Sequence, residues 1–453
     1  MAKVFRVLKT IKNNWKKSIF FSAVLAYGSQ YAYNEYETRI FMTECCKKVS
    51  LYGDTLISSD KKPKKVTVIL NPAANKRSAT KNFEKYCSPL LHLAGYSVNV
   101  LVTECEGGAR SLVENLIGET DLLIVAGGDG TLSEVVTGLL RRLKGDTSLT
   151  VHLPIGILPL GRTNTIAKQL LHPDDENYIH FLANATITII QEATTPYPVI
   201  KIENLQSKNP EKCVYALNSI EWGAMREAKV TRDSYWYIGK FRDLAPFVFG
   251  NKLLNQTIDA ELEYSPPCDG CSTCYRKSSP SNNTLSIFSY IASFFTFKSH
   301  SGKVVKDYSK VINPECNIYE KQSIRSLNVS INLNVGPHPS LKINIGPEEI
   351  LYSDFVKEGY QKFIGKSGGI INYLTKEAKE IILSPHTYED KWLSIDNEDY
   401  EVKPMKLTLI PNSIYLFCPI NSNNSYMLQD KTDDKLKLSI ENLNRQFEFK
   451  RYQ

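Results

Sequence analysis

Leu122-Leu123-Ile124-Val125-Ala126-Gly127-Gly128-Asp129-Gly130-Thr131-Leu132 is the stretch that decides the fold. It opens on an apolar run short enough for a buried strand, passes through a glycine loop, and leads into Leu132 to Leu143, which is apolar at helical spacing. Strand, glycine loop and helix in that order make an anion cradle. Glycines let the backbone approach a phosphate closely, and the helix start offers unpaired N–H groups and a favourable dipole. A carboxylate inside such a loop repels phosphate unless a Mg²⁺ ion lies between them or the acid works on a proton, and both fit phosphoryl transfer. Asp129 is therefore a candidate catalytic acid and a candidate Mg²⁺ ligand. Thr131 and Glu134 have capping-box spacing, so Glu134 is expected either to cap this helix or to orient the loop.

Working outward, Val66 to Leu70 and Val98 to Val102 read as two more buried strands. Between them Phe83, Leu90, Leu91 and Leu93 predict a helix offset near Pro89 and ended by Gly95. Strands alternating with helices of this length predict a mostly parallel, doubly wound α/β domain, whose ligands bind beyond the carboxyl ends of the strands. From about residue 199 the pattern changes to extended alternating stretches, Ser326 to Val335, Lys342 to Ile345 and Lys406 to Phe417, which predict a second, mainly β domain. Residues 264–284, rich in Ser, Pro, Asn and Cys, predict a mobile insertion.

At 453 residues the chain exceeds the size at which one core usually stops growing. Its 42% hydrophobic and 23% charged residues are those of a globular protein, and a net charge of +7 over this length is too small to imply nucleic acid. The charge is unevenly placed. Lys3, Arg6, Lys9, Lys12, Lys16 and Lys17 precede the first acid, Glu35, and alternate with Val4, Phe5, Leu8, Ile11 and Trp15 at spacing that gives one basic and one apolar helix side. With the apolar run Ile19 to Tyr27 that follows, the segment reads as a retained membrane-surface anchor, and its acid-free basic character suits mitochondrial targeting. A second candidate membrane element, Leu285 to Phe297, has an apolar and a hydroxyl face, too short to span a bilayer and equally suited to packing on the β domain. Ten cysteines are scattered through the chain. Cys268, Cys271 and Cys274 form a C-x-x-C-x-x-C run, but a structural zinc site needs four ligands and no other Cys or His is near in sequence, so a loop of reactive or paired thiols is the preferred reading.

Three motifs in order, Asn71-Pro72-Ala73-Ala74, Gly127 to Thr131, and Pro159-Leu160-Gly161-Arg162-Thr163-Asn164, resemble the diacylglycerol and sphingosine kinase family. The basic N-terminus, Glu134-Val135-Val136-Thr137-Gly138 and Tyr235-Trp236-Tyr237-Ile238-Gly239 resemble its acylglycerol kinase branch, which is mitochondrial in animals. The resemblance implies a phosphofructokinase-like, doubly wound α/β nucleotide-binding domain, followed by a mainly β, sandwich-like lipid domain, with ATP in the cleft between. The expected layout is an anchor and linker over 1–60, a catalytic domain over 61–198, a lipid-binding domain over 199–425 with an insertion near 264–320, and a polar tail over 426–453. Asn71, Pro72, Ala73 and Thr103 would face the nucleotide, Gly127, Gly128, Asp129, Gly130 and Thr131 would wrap its phosphates, and Gly161, Arg162, Thr163 and Asn164 would complete the pocket, Arg162 standing where many relatives have Thr.

Farther on, Ser394-Ile395-Asp396-Asn397-Glu398 resembles the family's Asp-Gly-Glu motif, with Asn397 in place of Gly and able to keep the turn at positive φ. By that resemblance Glu398 is the candidate base for the substrate hydroxyl and Asp396 its neighbour near nucleotide or metal; Asp129 remains the alternative base. The implied activity is an ATP- and Mg²⁺-dependent phosphotransfer to mono- and diacylglycerol at the mitochondrial inner membrane, facing the intermembrane space, with a second role in the inner-membrane carrier translocase. The other readings are a NAD kinase, against which stands the Pro159 to Asn164 motif, and a non-catalytic membrane scaffold, which would be free to lose Asp129.

Overall fold

The computed structural model describes residues 15–53, 63–172, 177–207, 213–255, 257–268, 271–272, 311–314, 316, 318–336, 338–364, 371, 373–387 and 391–420. The basic residues Lys3 to Lys12, Cys274, the Leu285 to Phe297 segment and the 426–453 tail lie outside them. The chain divides into two units, residues 1–197 with 412–453, and residues 198–411.

In the first unit the apolar runs become parallel strands β1 (Lys65–Leu70), β2 (Ser97–Val102), β3 (Leu122–Gly127) and β4 (Ile155–Pro159), in the order β2-β1-β3-β4. β3 is buried along its whole length, which is why it shows no polar alternation: helices cover both faces of such a sheet. Beside β4 lies the end of a late strand, pairing Leu416 with Ile155 in parallel. Strand order reverses between β1 and β3, whose registers match Val66 with Leu122 and Leu70 with Ala126. In a doubly wound sheet that reversal opens the ligand crevice at the strands' carboxyl ends. The loops after β1 and β3 both begin there.

The helices α1 (Trp15–Gly53), α2 (Gly108–Glu114), α3 (Asp129–Arg142), α4 (Thr165–Leu171) and α5 (Tyr178–Ile190) belong to this unit. Three further pieces, Ala79–Asn82, Phe83–Cys87 and Ser88–Leu93, run end to end with a π turn in the middle. Pro89 sits in the first turn of the last piece, where its missing N–H costs nothing. α1 is longer than the apolar run Ile19 to Tyr27 announces. Its first half leaves Phe20, Phe21, Leu25 and Tyr27 exposed, whereas Cys45 and Val49 near its end are buried with Val66, Leu90 and Ile187 in the core. Among the described residues no helix is long and apolar enough to cross a membrane.

The antiparallel pair β5 (Thr194–Asn204) and β6 (Val214–Ala216) leads into the second unit, which is a β sandwich. One antiparallel sheet contains β7 (Ser219–Gly223), β10 (Asn328–Asn334), β11 (Ser340–Ile345), β12 (Leu374–Ala378), β14 (Trp392–Ile395) and β15 (Glu398–Glu401), ordered β12-β11-β10-β7-β14-β15. Facing it are β8 (Ile258–Ser265), β9 (Glu320–Ser326), β13 (Glu380–Pro385) and the first half of β16 (Met405–Phe417), also antiparallel. Ile220, Trp222, Ile331, Ile343 and Leu393 from one face meet Leu262, Ile324, Ile381, Leu383 and Leu407 from the other in a single buried cluster. The stretch Ser326 to Val335, which alternates like one strand, is divided. The chain leaves one sheet at Ser326 and enters the other at Asn328, with Leu327 buried at the turn. α6 (Ala224–Thr231) and α7 (Tyr352–Phe363) pack with the short helix Ala245–Phe249 in a second cluster of Met225, Ala228, Phe247 and Phe355.

Candidate active site

The loops after β1, β3 and β4 are tied together by their own backbones. Asn71 N–H donates to the Ala126 carbonyl at 3.0 Å, and the Asn71 side chain donates to Thr131 Oγ1 at 3.0 Å while accepting from Ala73 N–H at 3.0 Å. Leu160 N–H donates to the Gly127 carbonyl at 3.1 Å. The reason for glycine at two of these positions is close approach. A Cβ on Gly161 would sit 2.3 Å from Gly128 Cα, and one on Gly127 would meet Thr131 Oγ1 at 2.7 Å. Asn164, left-handed at φ 51°, accepts from Gly161 N–H at 2.9 Å and donates to the Pro159 and Gly161 carbonyls, so its buried amide holds the 159–164 turn shut.

Asp129 is 5% exposed, and its carboxylate accepts from Thr163 Oγ1 at 2.9 Å, from Thr165 N–H at 2.9 Å and from Ile166 N–H at 3.2 Å. It therefore caps α4, a helix distant in sequence, and welds the glycine loop to the 159–164 turn. The capping box expected at Thr131 and Glu134 does not form. α3 starts at Asp129 with Gly128 as its N-cap and no side-chain cap bond. Glu134 reaches across instead and accepts from Gly107 and Ala109 N–H, each at 3.0 Å, at the start of α2. A local spacing rule failed because tertiary neighbours supplied better donors.

Thr103 is buried at the end of β2, its N–H on the Leu70 carbonyl at 2.9 Å. Pro72 and Gly130 are half-buried, and Ala73 and Arg162 are exposed. Arg162, Thr163, Thr165, Lys168 and His172 line an open depression of about 610 Å³, so two cationic side chains border the Asp129 corner. One feature had no sequence signal beyond the tolerance of Asn for such backbone. Asn75, Lys76 and Arg77 are consecutively left-handed, at φ 47°, 56° and 66°. Such geometry costs roughly 1–2 kcal/mol per residue, and strain of this kind gathers at ligand sites.

The late acidic turn lies in the second unit. Ile395 pairs with Glu398 across β14 and β15, leaving Asp396 and Asn397 as a two-residue loop at φ 49° and 70°. Both positive angles fit a type I′ hairpin turn, and Asn397 takes the glycine-like position as expected. Asp396 is fully buried, its carboxylate accepting from Leu217, Asn218 and Ser219 N–H at 2.6, 2.8 and 3.0 Å. Glu398 is half-buried and accepts from the Tyr400 hydroxyl at 3.4 Å. Next to it Asp399 pairs with Arg226 at 2.5 Å, a guanidinium 4% exposed on α6 that sequence gave no reason to single out.

With this geometry in place, similarity to known proteins has a meaning. Residues 65–202 match the diacylglycerol kinase catalytic domain and residues 217–432 match the acylglycerol kinase C-terminal family. These define an ATP-dependent lipid kinase. The mitochondrial acylglycerol kinase of Xenopus laevis is 33% identical over 92% of this chain and 96% of its own, and that of Homo sapiens is 31% identical over 90% and 96%. The chain belongs to the acylglycerol kinase family. A diacylglycerol kinase crystal structure from Bacillus anthracis is also similar, with 17% identity, a TM-score of 0.46, and coverage of 80% of this chain and 99% of that one.

Proposed function

We propose that the chain transfers the γ-phosphate of ATP to monoacylglycerol and diacylglycerol, giving lysophosphatidic and phosphatidic acid, at the mitochondrial inner membrane on the intermembrane-space side. The observation that carries this is the glycine loop at the sheet's reversal point, pressed backbone to backbone on the 159–164 turn with Arg162 and Lys168 beside it. Asn71, Pro72, Ala73 and Thr103 face the nucleotide in this reading, Gly127 to Thr131 hold its phosphates, and Gly161 to Asn164 close the pocket. Glu134 steadies the neighbouring loop through Gly107 and Ala109. Mg²⁺ fits with Asp129 as a single protein ligand. Three donors already occupy its carboxylate, which leaves roughly one of about four lone-pair positions, and Mg²⁺ commonly takes one or two carboxylates with the rest from phosphate and water.

With its carboxylate held by three donors and turned to Mg²⁺, Asp129 is not the base in this reading, and Glu398 of the late acidic turn accepts the lipid hydroxyl's proton. Asp396, anchored on three backbone N–H groups, fixes the turn that presents it. Membrane contact is supported by exposed Phe20, Phe21, Leu25 and Tyr27 on α1 and by Trp236, Tyr237 and Phe241 on the second unit. The exposed half of α1 also offers a surface for a second role in the inner-membrane carrier translocase. Incubation of purified protein with Mg·ATP and monoacylglycerol, diacylglycerol, sphingosine, ceramide or NAD, with products identified by mass spectrometry, tests the substrate. Phosphate on a free hydroxyl of each of the two acylglycerols is expected. Phosphorylated NAD or sphingosine alone would overturn the proposal.

A further inference from the structure

The pairing of β8 and β9 brings a distant cysteine, Cys316, to two that are already close in sequence. Cys268 and Cys271 follow β8, Cys316 precedes β9, and the two strands pair from Ile258 with Ser326 to Tyr264 with Glu320. The three Sγ atoms all lie within 4.8 Å of one another, and Cys271 and Cys316 are buried. Among the described residues this is the one such cluster of metal-ligating groups. We propose that Cys268, Cys271 and Cys316 bind one zinc ion as thiolates, fixing the start and end of the β8–β9 connection.

Geometry and charge both support it. Tetrahedral zinc with bonds of about 2.3 Å to sulfur places its sulfurs about 3.8 Å apart, within the observed spread. Each thiol releases its proton as its sulfur binds, so a divalent ion on three thiolates leaves one net negative charge. Lys379 answers it, with Nζ 3.0 Å from Cys316 Sγ. The Asn313 side-chain N–H donates to Cys268 Sγ at 3.3 Å, the kind of outer contact that orients a metal ligand. A disulfide is the competing chemistry, but it uses two of the three sulfurs and leaves the third thiol beside it without a role. The fourth zinc position goes to a donor outside these three residues, as tetrahedral sites require.

The test uses the full-length protein purified without a polyhistidine tag or chelator. Elemental analysis should find about one zinc per chain, with X-ray absorption showing at least three sulfur neighbours near 2.3 Å. Native alkylation read by peptide mass mapping should leave these three cysteines unmodified, and a strong zinc chelator should make all three reactive while lowering the melting temperature. Cys271→Ser should lose the zinc. Should that variant fail to fold, the alkylation difference before and after chelation in the unaltered protein decides alone. Zinc-free protein whose three thiols alkylate without chelator, a disulfide between any two of them, or iron in place of zinc would overturn the assignment.

Discussion

Gly161→Ala isolates the close approach on which the nucleotide site depends. The new Cβ would stand 2.3 Å from Gly128 Cα, 2.7 Å from Asn164 Oδ1 and 2.9 Å from Gly128 N, against ordinary carbon contacts of about 3.5–4.0 Å. The nearest atoms are backbone, so the glycine loop must retreat by about an ångström, a displacement worth about 10²-fold in rate when it misplaces a reacting group. Overpacking of this kind costs about 1–3 kcal/mol, and for a unit of this size each kcal/mol lowers the melting temperature by about 2–4 °C. The assay is kcat/KM for Mg·ATP with monoacylglycerol in vesicles, beside a thermal melt. Gly336→Ala is the control, since nothing lies within 4 Å of its added Cβ, and it should leave both readouts unchanged. If Gly161→Ala keeps kcat/KM within threefold of the unaltered enzyme, the close approach does not matter to nucleotide handling and the reasoning fails.

Glu398→Gln should lower kcat by about 100-fold, roughly 2.7 kcal/mol, with little change in the KM for ATP, because loss of a general base acts on the proton and not on nucleotide binding; near-normal kcat at saturating acylglycerol would return Asp129 to that role. Asp129→Asn should reduce turnover and impair the Mg²⁺ dependence while changing stability little, since the amide oxygen still accepts from the start of α4; an unchanged Mg²⁺ titration with lowered activity would make it a positioning residue only. Replacing Phe20, Phe21 and Leu25 together with Ser should shift the protein from sedimenting with anionic vesicles to the supernatant while leaving the melting temperature in place, since these side chains are exposed and the buried end of α1 is untouched. Continued sedimentation would place the membrane contact elsewhere.

The sheet of the first unit was legible because buried parallel strands need nearly continuous apolar runs, and Val66 to Leu70 and Leu122 to Ala126 each match a buried strand to within a residue; Val98 to Val102 forms the expected strand but not a buried one, because β2 lies at the sheet edge and leaves Val100 and Val102 exposed. The turn at Asp396 and Asn397 was legible for a related reason, since few residues besides glycine accept its backbone. What escaped was long-range. Asp129 caps α4 and Glu134 caps α2, so both carboxylates answer donors that no spacing rule connects to them. Cys316 joins Cys268 and Cys271 only because β8 and β9 pair. The division at Leu327 was hidden because both strands it separates alternate in the same way, and only packing shows that they face each other across the core. The second half of α1 reads as polar and charged, and its burial follows from a few positions, Cys45 and Val49 among them, that a mean over the segment conceals.

Transfer of label from [γ-³²P]ATP to monoacylglycerol, measured for the unaltered chain and for Gly128→Glu, tests the central claim most directly. Gly128 faces Gly161, where an added Cβ would already lie 3.3 Å from its Cα, and a carboxylate there would also repel the phosphates. The expected result is labelled lysophosphatidic acid from the unaltered protein and none above background from Gly128→Glu, with far-ultraviolet circular dichroism showing both folded. Labelled lipid from the folded variant at more than half the unaltered rate would contradict the phosphate-loop assignment, and no labelled lipid from the unaltered protein would contradict the acylglycerol kinase activity itself.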